Sequence, residues 1–408
     1  MRTEFFESAV KMGFYGIERS GLEGKKDNVR KYWEDVFIKL SIRDIIAEIL
    51  NRKNIMRVVD LGSGSGEGYE LLTHIPLDGP SKRPGKESRL TSEQMIYRGI
   101  DISPAMVEQG WKNYHERENV QFLRGDLSEG FPLEEEEPFD VYFSSYCSLS
   151  HLSAPELLEL MKELCSHIEE TGYIVFDLYG RYSSEWPIYW TGDNSQHLPY
   201  NMAYLLSRKE RDPEKIEWFE VTFWDSGEIL SLIDSAAAET NRKAHVRQIK
   251  DRSILVGRHI ETGLFGGRSL NLRNQTNHLF DRDYRGDVQK MTADMSYLDT
   301  FPTNNDTALH RIHEYQEQWN TVIQIMKALI ERNNSEVKRL IEGSQGKLED
   351  ELKMLAWLYR NAERFPVVDF WASIMGPQIA CVLRNLEMGL PDGVGCGHSL
   401  FCIVEIRK

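Results

Sequence analysis

The stretch Val58-Val59-Asp60-Leu61-Gly62-Ser63-Gly64-Ser65-Gly66 joins a short apolar run to three glycines at alternate positions, with an acid just before the first of them. Glycine has no Cβ, so it adopts positive φ and lets the main chain approach a ligand closely. Free amides at the start of the following helix favour a negative group. The stretch predicts a buried strand that turns tightly into a helix around a small nucleoside-like ligand.

The spacing of these glycines argues against a dinucleotide site. A Gly-x-Gly-x-x-Gly fingerprint would need its third glycine at Glu67 when counted from Gly62, and at Tyr69 when counted from Gly64. With its leading acid, the run instead resembles motif I of the class I S-adenosylmethionine-dependent methyltransferases. The cofactor that this resemblance implies is S-adenosylmethionine. In this interpretation Asp60 organises the loop or meets the cofactor's ammonium.

Two later acids match motifs II and III of the same family. Asp101 ends the second predicted strand, where a carboxylate accepts hydrogen bonds from a ribose diol. Ile102 and Met106 would then flank the adenine. Asp126, followed by Leu127, ends the third predicted strand and is expected to accept from the adenine amine. Acids at three successive strand ends strengthen the resemblance.

The region after the fourth predicted strand resembles motif IV, where the chain passes beneath the sulfonium. It contains Ser144 and Ser145, then Tyr146, and His151 follows shortly after. His151 is interpreted as a helix cap or core residue, or as a general base or substrate contact. The predicted catalytic residues are His151 and Tyr146. The predicted cofactor-binding residues are Asp60, Gly62, Ser63, Gly64, Gly66, Asp101, Ile102, Met106, Asp126, Leu127, Ser144, Ser145 and Tyr32.

Alternating strand and helix patterns predict a doubly wound, seven-stranded, mostly parallel sheet with helical insertions. Such a Rossmann-like methyltransferase fold binds its ligand at the carboxyl ends of its strands. An amphipathic helix is expected over 29–50, and Arg30, Tyr32 and Trp33 in it are candidates to cover the methionine end of the cofactor. The predicted strands are 56–61, 96–102, 120–127, 139–146, 173–179, 246–259 and 399–407, and the clearest predicted helix is 154–169, with a capping box at Ser153 and Glu156.

The remaining segments are interpreted as additions to this core. Residues 76–94 read as an exposed Pro-rich loop, and the acid run 134–137 reads as a solvated turn. The aromatic segment 181–224 is either core or the wall of a substrate pocket, with Tyr182, Trp186 and Trp190 as substrate candidates. The expected division is 1–180 for the cofactor-binding core, 181–224 for a substrate or lid insertion, 225–262 for the continued sheet, 263–395 for a helical cap or partner-binding insertion, and 396–408 for the final strand.

Methyl transfer needs a positioned nucleophile and a dry site more than it needs a base. The segment Ser144-Ser145-Tyr146-Cys147 replaces the Asn/Asp-Pro-Pro-Tyr/Phe motif of amine and adenine N-methylating enzymes, and no Pro precedes Cys147 as in cytosine methylation. A small-molecule acceptor with an oxygen, nitrogen or carbon nucleophile is therefore expected. Aminopropyl transfer, cyclisation, and a nucleoside-binding protein whose helical insertion binds a partner stay as alternatives.

The overall composition limits which substrates and which cellular compartment are expected. The 408 residues have a formal charge of −15, which disfavours nucleic-acid substrates, and five cysteines without a regular framework fit reduced thiols in a cytoplasmic protein. No metal site is suggested. The acids near the N-terminus argue against a signal peptide, and no apolar stretch is long enough to cross a membrane. A homodimer through the helical insertion is a further expectation.

Overall fold

The computed structural model of the protein describes residues 27–73, 75, 77, 90–206, 216–281 and 286–408, together with residues 10, 15 and 16. Most of the Pro-rich loop over 76–94 lies outside these residues. The strands are β1 (Met56–Leu61), β2 (Met95–Asp101), β3 (Val120–Arg124), β4 (Val141–Phe143), β5 (Thr171–Tyr179), β6 (Leu198–Asn201), β7 (Trp218–Val221), β8 (Lys243–Arg252) and β9 (Ser399–Arg407).

Seven of these strands form one sheet in the order β3-β2-β1-β4-β5-β9-β8, and β6 pairs with β7 in a separate small sheet. The strands from β3 to β5 are parallel to their neighbours, whereas β9 is antiparallel to both β5 and β8. The prediction of a seven-stranded, mostly parallel sheet is confirmed. Because β8 runs in the same direction as β5, its carboxyl end lies at the same edge as those of β1 to β5.

Helices cover the sheet and fill the long segment between β8 and β9. They are α1 (Asp35–Leu50), α2 (Glu67–Leu72), α3 (Pro104–Tyr114), α4 (Ala154–His167), α5 (Ser226–Glu239), α6 (Leu272–His278), α7 (Asp306–Ile330), α8 (Asn334–Glu342), α9 (Gly346–Arg360) and α10 (Gly376–Gly389). Short π-helical turns, Arg30–Glu34 and Trp371–Met375, precede α1 and α10. Short 3-10 helices are Ser92–Gln94, Ser148–His151, Pro187–Tyr189, Ala203–Leu205, Val288–Met291, Ser296–Thr300 and Ala362–Arg364.

The sequence predicted helix starts better than strand ends. The capping box at Ser153 and Glu156 begins α4 as expected. The fourth predicted strand, 139–146, is only Val141–Phe143 because the chain turns at Tyr146 and Cys147, both at positive φ. The predicted strand 246–259 begins at Lys243 and ends at Arg252, since Ser253 also has positive φ.

The helical insertion packs on the sheet domain through the segment before α1. The Trp33 indole donates a hydrogen bond of 2.9 Å to Glu387 of α10, and its ring lies 6.1 Å from that of Trp319 on α7. Glu387 also accepts from the amides of Ser253 and Ile254, which follow β8. The insertion is therefore fixed to the binding edge of the sheet. Within the described parts of the chain, no helix is apolar over a length that would span a bilayer.

Candidate active site

The glycine-rich turn after β1 has the backbone that its sequence requires. Gly62, Gly64 and Gly66 have φ values of +77°, +55° and +96°, a region that residues with a Cβ rarely adopt. The amides of Gly62 and Ser63 donate to the carbonyl of Ile100 at 2.9 and 2.8 Å. These bonds fix the turn against the carboxyl end of β2.

Among the three glycines, Gly64 has room for a side chain between it and the other described residues, whereas Gly62 and Gly66 do not. A Cβ on Gly62 would lie 2.5 Å from the Ser148 Cβ, and one on Gly66 would lie 2.6 Å from the Tyr114 ring, whereas a Cβ on Gly64 would meet no atom of the described residues within 4 Å. The turn thus forms a cradle at Gly64. A nucleoside such as S-adenosylmethionine fits this feature, because the main chain can approach it there without a side chain in between.

Asp101 lies beside this cradle at the end of β2. Its two carboxylate oxygens accept hydrogen bonds of 2.8 Å from the amides of Gly64 and Ser103. Each oxygen keeps a second lone pair, which a ribose hydroxyl can use. Burial raises the pKa of Asp101. Ile102, which is 41% exposed, and Met106, which is 2% exposed, lie next along the chain.

Asp60 lies below the turn instead of lining the cradle. Its carboxylate accepts a hydrogen bond of 2.5 Å from the Tyr97 hydroxyl and packs against Gly68, where a Cβ would lie 1.9 Å from it. Burial raises the pKa of Asp60 to about 7. Of the two predicted roles, this geometry favours organising the loop over direct contact with the cofactor.

Asp126 and Leu127 lie in the loop beyond β3. The Asp126 carboxylate accepts from the hydroxyl and the amide of Ser128, at 2.7 and 3.1 Å. Leu127 is partly buried against the hydrophobic core that includes β4 and α4. The proposed contact of Asp126 with adenine stays a prediction.

The loop after β4 is tied directly to the glycine-rich turn. Ser144 is buried and donates to the Leu61 carbonyl at 2.8 Å. The Ser148 hydroxyl lies within hydrogen-bond distance of the carbonyls of Gly62, at 3.1 Å, and Ser145, at 3.0 Å. These contacts bring Tyr146 and its neighbours close to the cradle.

Three arginines surround the Tyr146 ring. The guanidinium carbons of Arg30, Arg252 and Arg258 lie 3.0, 5.0 and 5.0 Å from its centroid, and we call these three residues the arginine cluster. The Tyr146 hydroxyl donates to Asp35. Burial holds the pKa of Tyr146 well above its usual value, so the hydroxyl stays protonated. Tyr146 and Cys147 both have positive φ, a costly backbone state that concentrates at functional sites.

The Tyr32 ring lies on the side of the helical insertion, and its predicted role at the cofactor stays a prediction. Its ring is 45% exposed and stacks on Phe280 of the helical insertion, with centroids 4.7 Å apart. Trp33 likewise faces the insertion, whereas Arg30 bonds Glu67 at 2.6 Å beside the glycine-rich turn. Residues two apart on a helix point in nearly opposite directions, so Arg30 and Tyr32 do not share a side.

His151 ends the 3-10 helix that follows β4. Its ring stacks on Phe219 of β7, with centroids 5.1 Å apart, and one side of the ring is open to solvent. The packed surroundings lower the pKa of His151 to about 4, with a smaller contribution from His197. The side-chain cap of α4 comes from Ser153 and not from His151.

The three predicted substrate residues of the aromatic segment are buried. Tyr182, Trp186 and Trp190 are at most 2% exposed. Their polar atoms bond within the protein, to Asn304 at 2.6 Å, to the Gly180 carbonyl at 2.8 Å and to the Ser183 carbonyl at 3.0 Å. Large apolar side chains with satisfied polar atoms are core residues. The burial therefore favours the core alternative for this segment.

Several charged residues near the cradle had no signal in the sequence motifs. Glu34 is fully buried and pairs with Arg273 at 2.8 Å and Arg258 at 3.2 Å, and these guanidinium groups hold its pKa well below the usual value despite burial. Asp177 on β5 pairs with Arg252 and accepts from the Cys147 amide at 2.9 Å. Charged residues inside apolar strand runs were the available signal, since buried charges need partners. Among the described residues, no acid, His or Cys cluster is arranged for a metal ion.

Comparison with known proteins gives a family for the central part of the chain. Residues 84–172 match the family model described as "Methyltransferase domain", which spans from β2 to the start of β5. No curated protein matches the chain.

Solved structures with a similar fold include S-adenosylmethionine-dependent methyltransferases. One from Clostridium acetobutylicum has 14% identity and a TM-score of 0.33, over 51% of this chain and 82% of that one. Another from Methanosarcina mazei has 15% identity and a TM-score of 0.35, over 50% and 88%. A glycopeptide N-methyltransferase solved with S-adenosylmethionine has 12% identity and a TM-score of 0.31, over 50% and 78%. The family match thus identifies a methyltransferase domain within the chain, and the strands over the matched residues belong to the seven-stranded sheet of order β3-β2-β1-β4-β5-β9-β8.

Proposed function

We propose that the protein transfers a methyl group from S-adenosylmethionine to a small molecule bound between the glycine-rich turn and Tyr146. The observation that carries this proposal is the Ser148 hydroxyl, which at 3.1 Å from the Gly62 carbonyl ties the loop after β4 to the cofactor cradle. A group held beside Tyr146 therefore lies next to the cradle. Proximity of this kind supplies most of what a displacement reaction needs.

The cofactor-binding residues follow from the geometry of the cradle. Gly64 would receive the nucleoside, Asp101 would accept from the ribose hydroxyls, and Ile102 would lie along the adenine. Met106, Asp126 and Leu127 complete the proposed adenine side. Arg30 lies between the turn and Tyr146 and would cover the methionine end of the cofactor.

The chemistry divides between the cofactor and the chain. S-Adenosylmethionine, when bound, supplies an electrophilic methyl group on a sulfonium. Gly64 and Asp101 would hold this cofactor, which would supply its methyl carbon to the acceptor's lone pair and keep on sulfur the electron pair of the broken carbon–sulfur bond. The chain's residues orient the acceptor and exclude water. We assign positioning to Tyr146 and proton acceptance to His151, whose pKa of about 4 keeps it unprotonated at neutral pH.

The helical insertion over 263–395 is proposed as a cap that also offers a surface for self-association. On its outer side, Trp357 is 52% exposed, Ile330 is 48% exposed and Val368 is fully exposed. Exposed apolar side chains of this size are typical of interaction sites. A homodimer through the insertion is the proposed arrangement, and the remaining domain boundaries follow the division given by the sequence.

The test combines product mass with one substitution. Incubation of the protein with methyl-labelled S-adenosylmethionine and a metabolite extract is expected to give a labelled small molecule that is heavier by one methyl group. A product heavier by an aminopropyl group, or no labelled product, would contradict methyl transfer.

Asp101→Ala is expected to weaken binding of S-adenosylhomocysteine by at least tenfold, because both ribose hydroxyls lose their acceptor. Isothermal calorimetry measures this change. The matched control is Glu108→Ala on the next helix, whose side chain is 69% exposed and pairs only at the surface with Lys112. Unchanged affinity in Asp101→Ala would remove the ribose assignment.

A further inference from the structure

The arginine cluster beside Tyr146 bears on which acceptor the site takes. We propose that the acceptor carries an oxyanion group, a carboxylate or a phosphate, and that Arg258 binds this group. The inference rests on the proposed function, because it assigns the acceptor side of the same site.

Arg258 lies where such an acceptor has to bind. It follows β8, whose carboxyl end lies at the binding edge of the sheet. Its guanidinium carbon is 5.0 Å from the Tyr146 ring and 5.5 Å from the Tyr204 ring, which belongs to the aromatic segment. Arg258 therefore lies beside Tyr146, whose loop is tied to the glycine-rich turn through Ser148.

The other two arginines of the cluster have carboxylates of their own. Arg30 bonds Glu67 at 2.6 Å and Asp35 at 3.2 Å. Arg252 pairs with the fully buried Asp177. A guanidinium with its own buried carboxylate is compensated, so neither of these two is available to a second anion without losing an existing pair.

Arg258 has only a shared carboxylate among the described residues. Its partner Glu34, at 3.2 Å, is also 2.8 Å from Arg273 and 3.7 Å from Arg252. A second partner of Arg273, Asp27, is 42% exposed and therefore partly screened by water. Arg252 and Arg273 thus each have a second carboxylate, Asp177 and Asp27, whereas Arg258 has only its share of Glu34. Its charge is the least compensated of the three, so an added anion would be stabilised there.

Arg258 also has donors to spare. Its guanidinium carries five N–H donors, and two of its nitrogens have acceptors in the described part of the chain, the Glu34 carboxylate and the Tyr204 hydroxyl, both at 3.2 Å. The guanidinium is planar, so two of its donors can bind the two oxygens of a carboxylate or a phosphate together. Its side chain is 13% exposed, which leaves it reachable but largely shielded from competing water.

The experiment uses simple oxyanions as probes of the full chain. Protein saturated with S-adenosylhomocysteine is titrated with phosphate and with acetate at constant ionic strength, and calorimetry measures the affinity. Arg258→Gln is expected to weaken binding of the preferred anion by at least tenfold and to change S-adenosylhomocysteine affinity less than twofold. The better of the two anions identifies the acceptor group as phosphate or carboxylate.

Two further variants keep the result interpretable. Arg268→Gln changes an arginine that is 57% exposed and pairs with Asp294 at the surface, and it is expected to leave anion binding unchanged. Arg258→Lys keeps the charge beside Glu34 but loses the planar pair of donors, so it is expected to fold as the wild type does and to bind the anion with intermediate affinity.

Distinct outcomes separate this inference from the proposed function. Equal anion binding by the wild type and Arg258→Gln, or no anion binding by the wild type, would overturn the role of Arg258. Anion binding that Arg268→Gln weakens as much as Arg258→Gln would do the same, because it would indicate general charge attraction. A wild type that does not bind S-adenosylhomocysteine would instead overturn the proposed function itself.

Discussion

The cofactor half and the acceptor half of the site are built in different ways. The cofactor half uses main-chain amides and glycines from one contiguous stretch, 56–66, with Asp101 from the next strand. The acceptor half uses buried charged side chains, among them Arg30, Arg252 and Arg258, that come together only through tertiary packing. The first half depends on local backbone conformation, and the second depends on ion pairs that are protected from water.

The largest expected effect concerns the ion pairs of the acceptor half. Asp177→Ala would leave Arg252 without its buried carboxylate and the Cys147 amide without its acceptor. Removing one partner of a buried pair costs about 3–5 kcal/mol of unfolding free energy. Urea denaturation followed by circular dichroism measures this loss.

The matched control for Asp177→Ala is Asp44→Ala. Asp44 is 78% exposed and pairs at the surface with Arg43, so its loss is expected to change the unfolding free energy by less than about 0.5 kcal/mol. Similar losses in the two variants would mean that burial does not distinguish the acceptor half, and the comparison would fail.

Two glycine substitutions test how the backbone of the cofactor half contributes to stability, and they are expected to have different effects. In Gly66→Ala the new Cβ would lie 2.6 Å from the Tyr114 ring at a φ of +96°, and overpacking with backbone strain is expected to cost about 3 kcal/mol. In Gly64→Ala the Cβ meets no atom, so only the strain, about 1 kcal/mol, is lost.

The smaller loss of stability, in Gly64→Ala, is expected to come with a large loss of cofactor affinity. The methyl group of Gly64→Ala occupies the cradle, so S-adenosylhomocysteine affinity is expected to fall at least tenfold in a protein that is still folded. Calorimetry and urea denaturation on the same samples measure both quantities. Wild-type affinity in Gly64→Ala would show that the nucleoside does not bind at the cradle.

The sequence predicts the two halves unequally for a physical reason. Strand-to-helix turns are encoded by neighbouring residues, so the glycine spacing and the acid at Asp101 are visible without a structure. Glu34 and Arg258 are more than two hundred residues apart, and no local pattern indicates that they meet. The same holds for Tyr32, where a helix was correctly expected but the direction of the ring depended on Phe280 of the insertion.

Aromatic residues give the same lesson. A dense run such as 181–224 indicates that a large apolar surface is buried, but it does not distinguish a core from a pocket wall. Trp186 is buried by contacts with Phe223, at the far end of the same run, and with Phe265, which lies outside it. The composition of the run therefore predicts that its aromatic side chains are buried, whereas the tertiary contacts determine whether they form a core or a pocket wall.

The last prediction contrasts the buried acids of the two halves through the pH dependence of the unfolding free energy. Among the described residues no cation pairs with Asp60, and burial raises its pKa to about 7, whereas the arginines around Glu34 lower that residue's pKa. The folded state therefore keeps a proton on Asp60 that the unfolded chain releases above about pH 4. The stability from this proton is fully present below that pH and is lost as pH rises through about 7.

In the wild type this titration is expected to lower the unfolding free energy by about 3 kcal/mol between pH 4 and 7, and Asp60→Asn is expected to remove it, because an amide does not titrate in this range. Urea denaturation at several pH values measures the slope for both proteins, with the exposed-acid variant Asp44→Asn as the control. A slope that survives in Asp60→Asn but changes in Asp44→Asn would assign the titration to surface acids. The titration of Asp60 would then not distinguish the cofactor half from the acceptor half, where Glu34 stays ionised among its arginines.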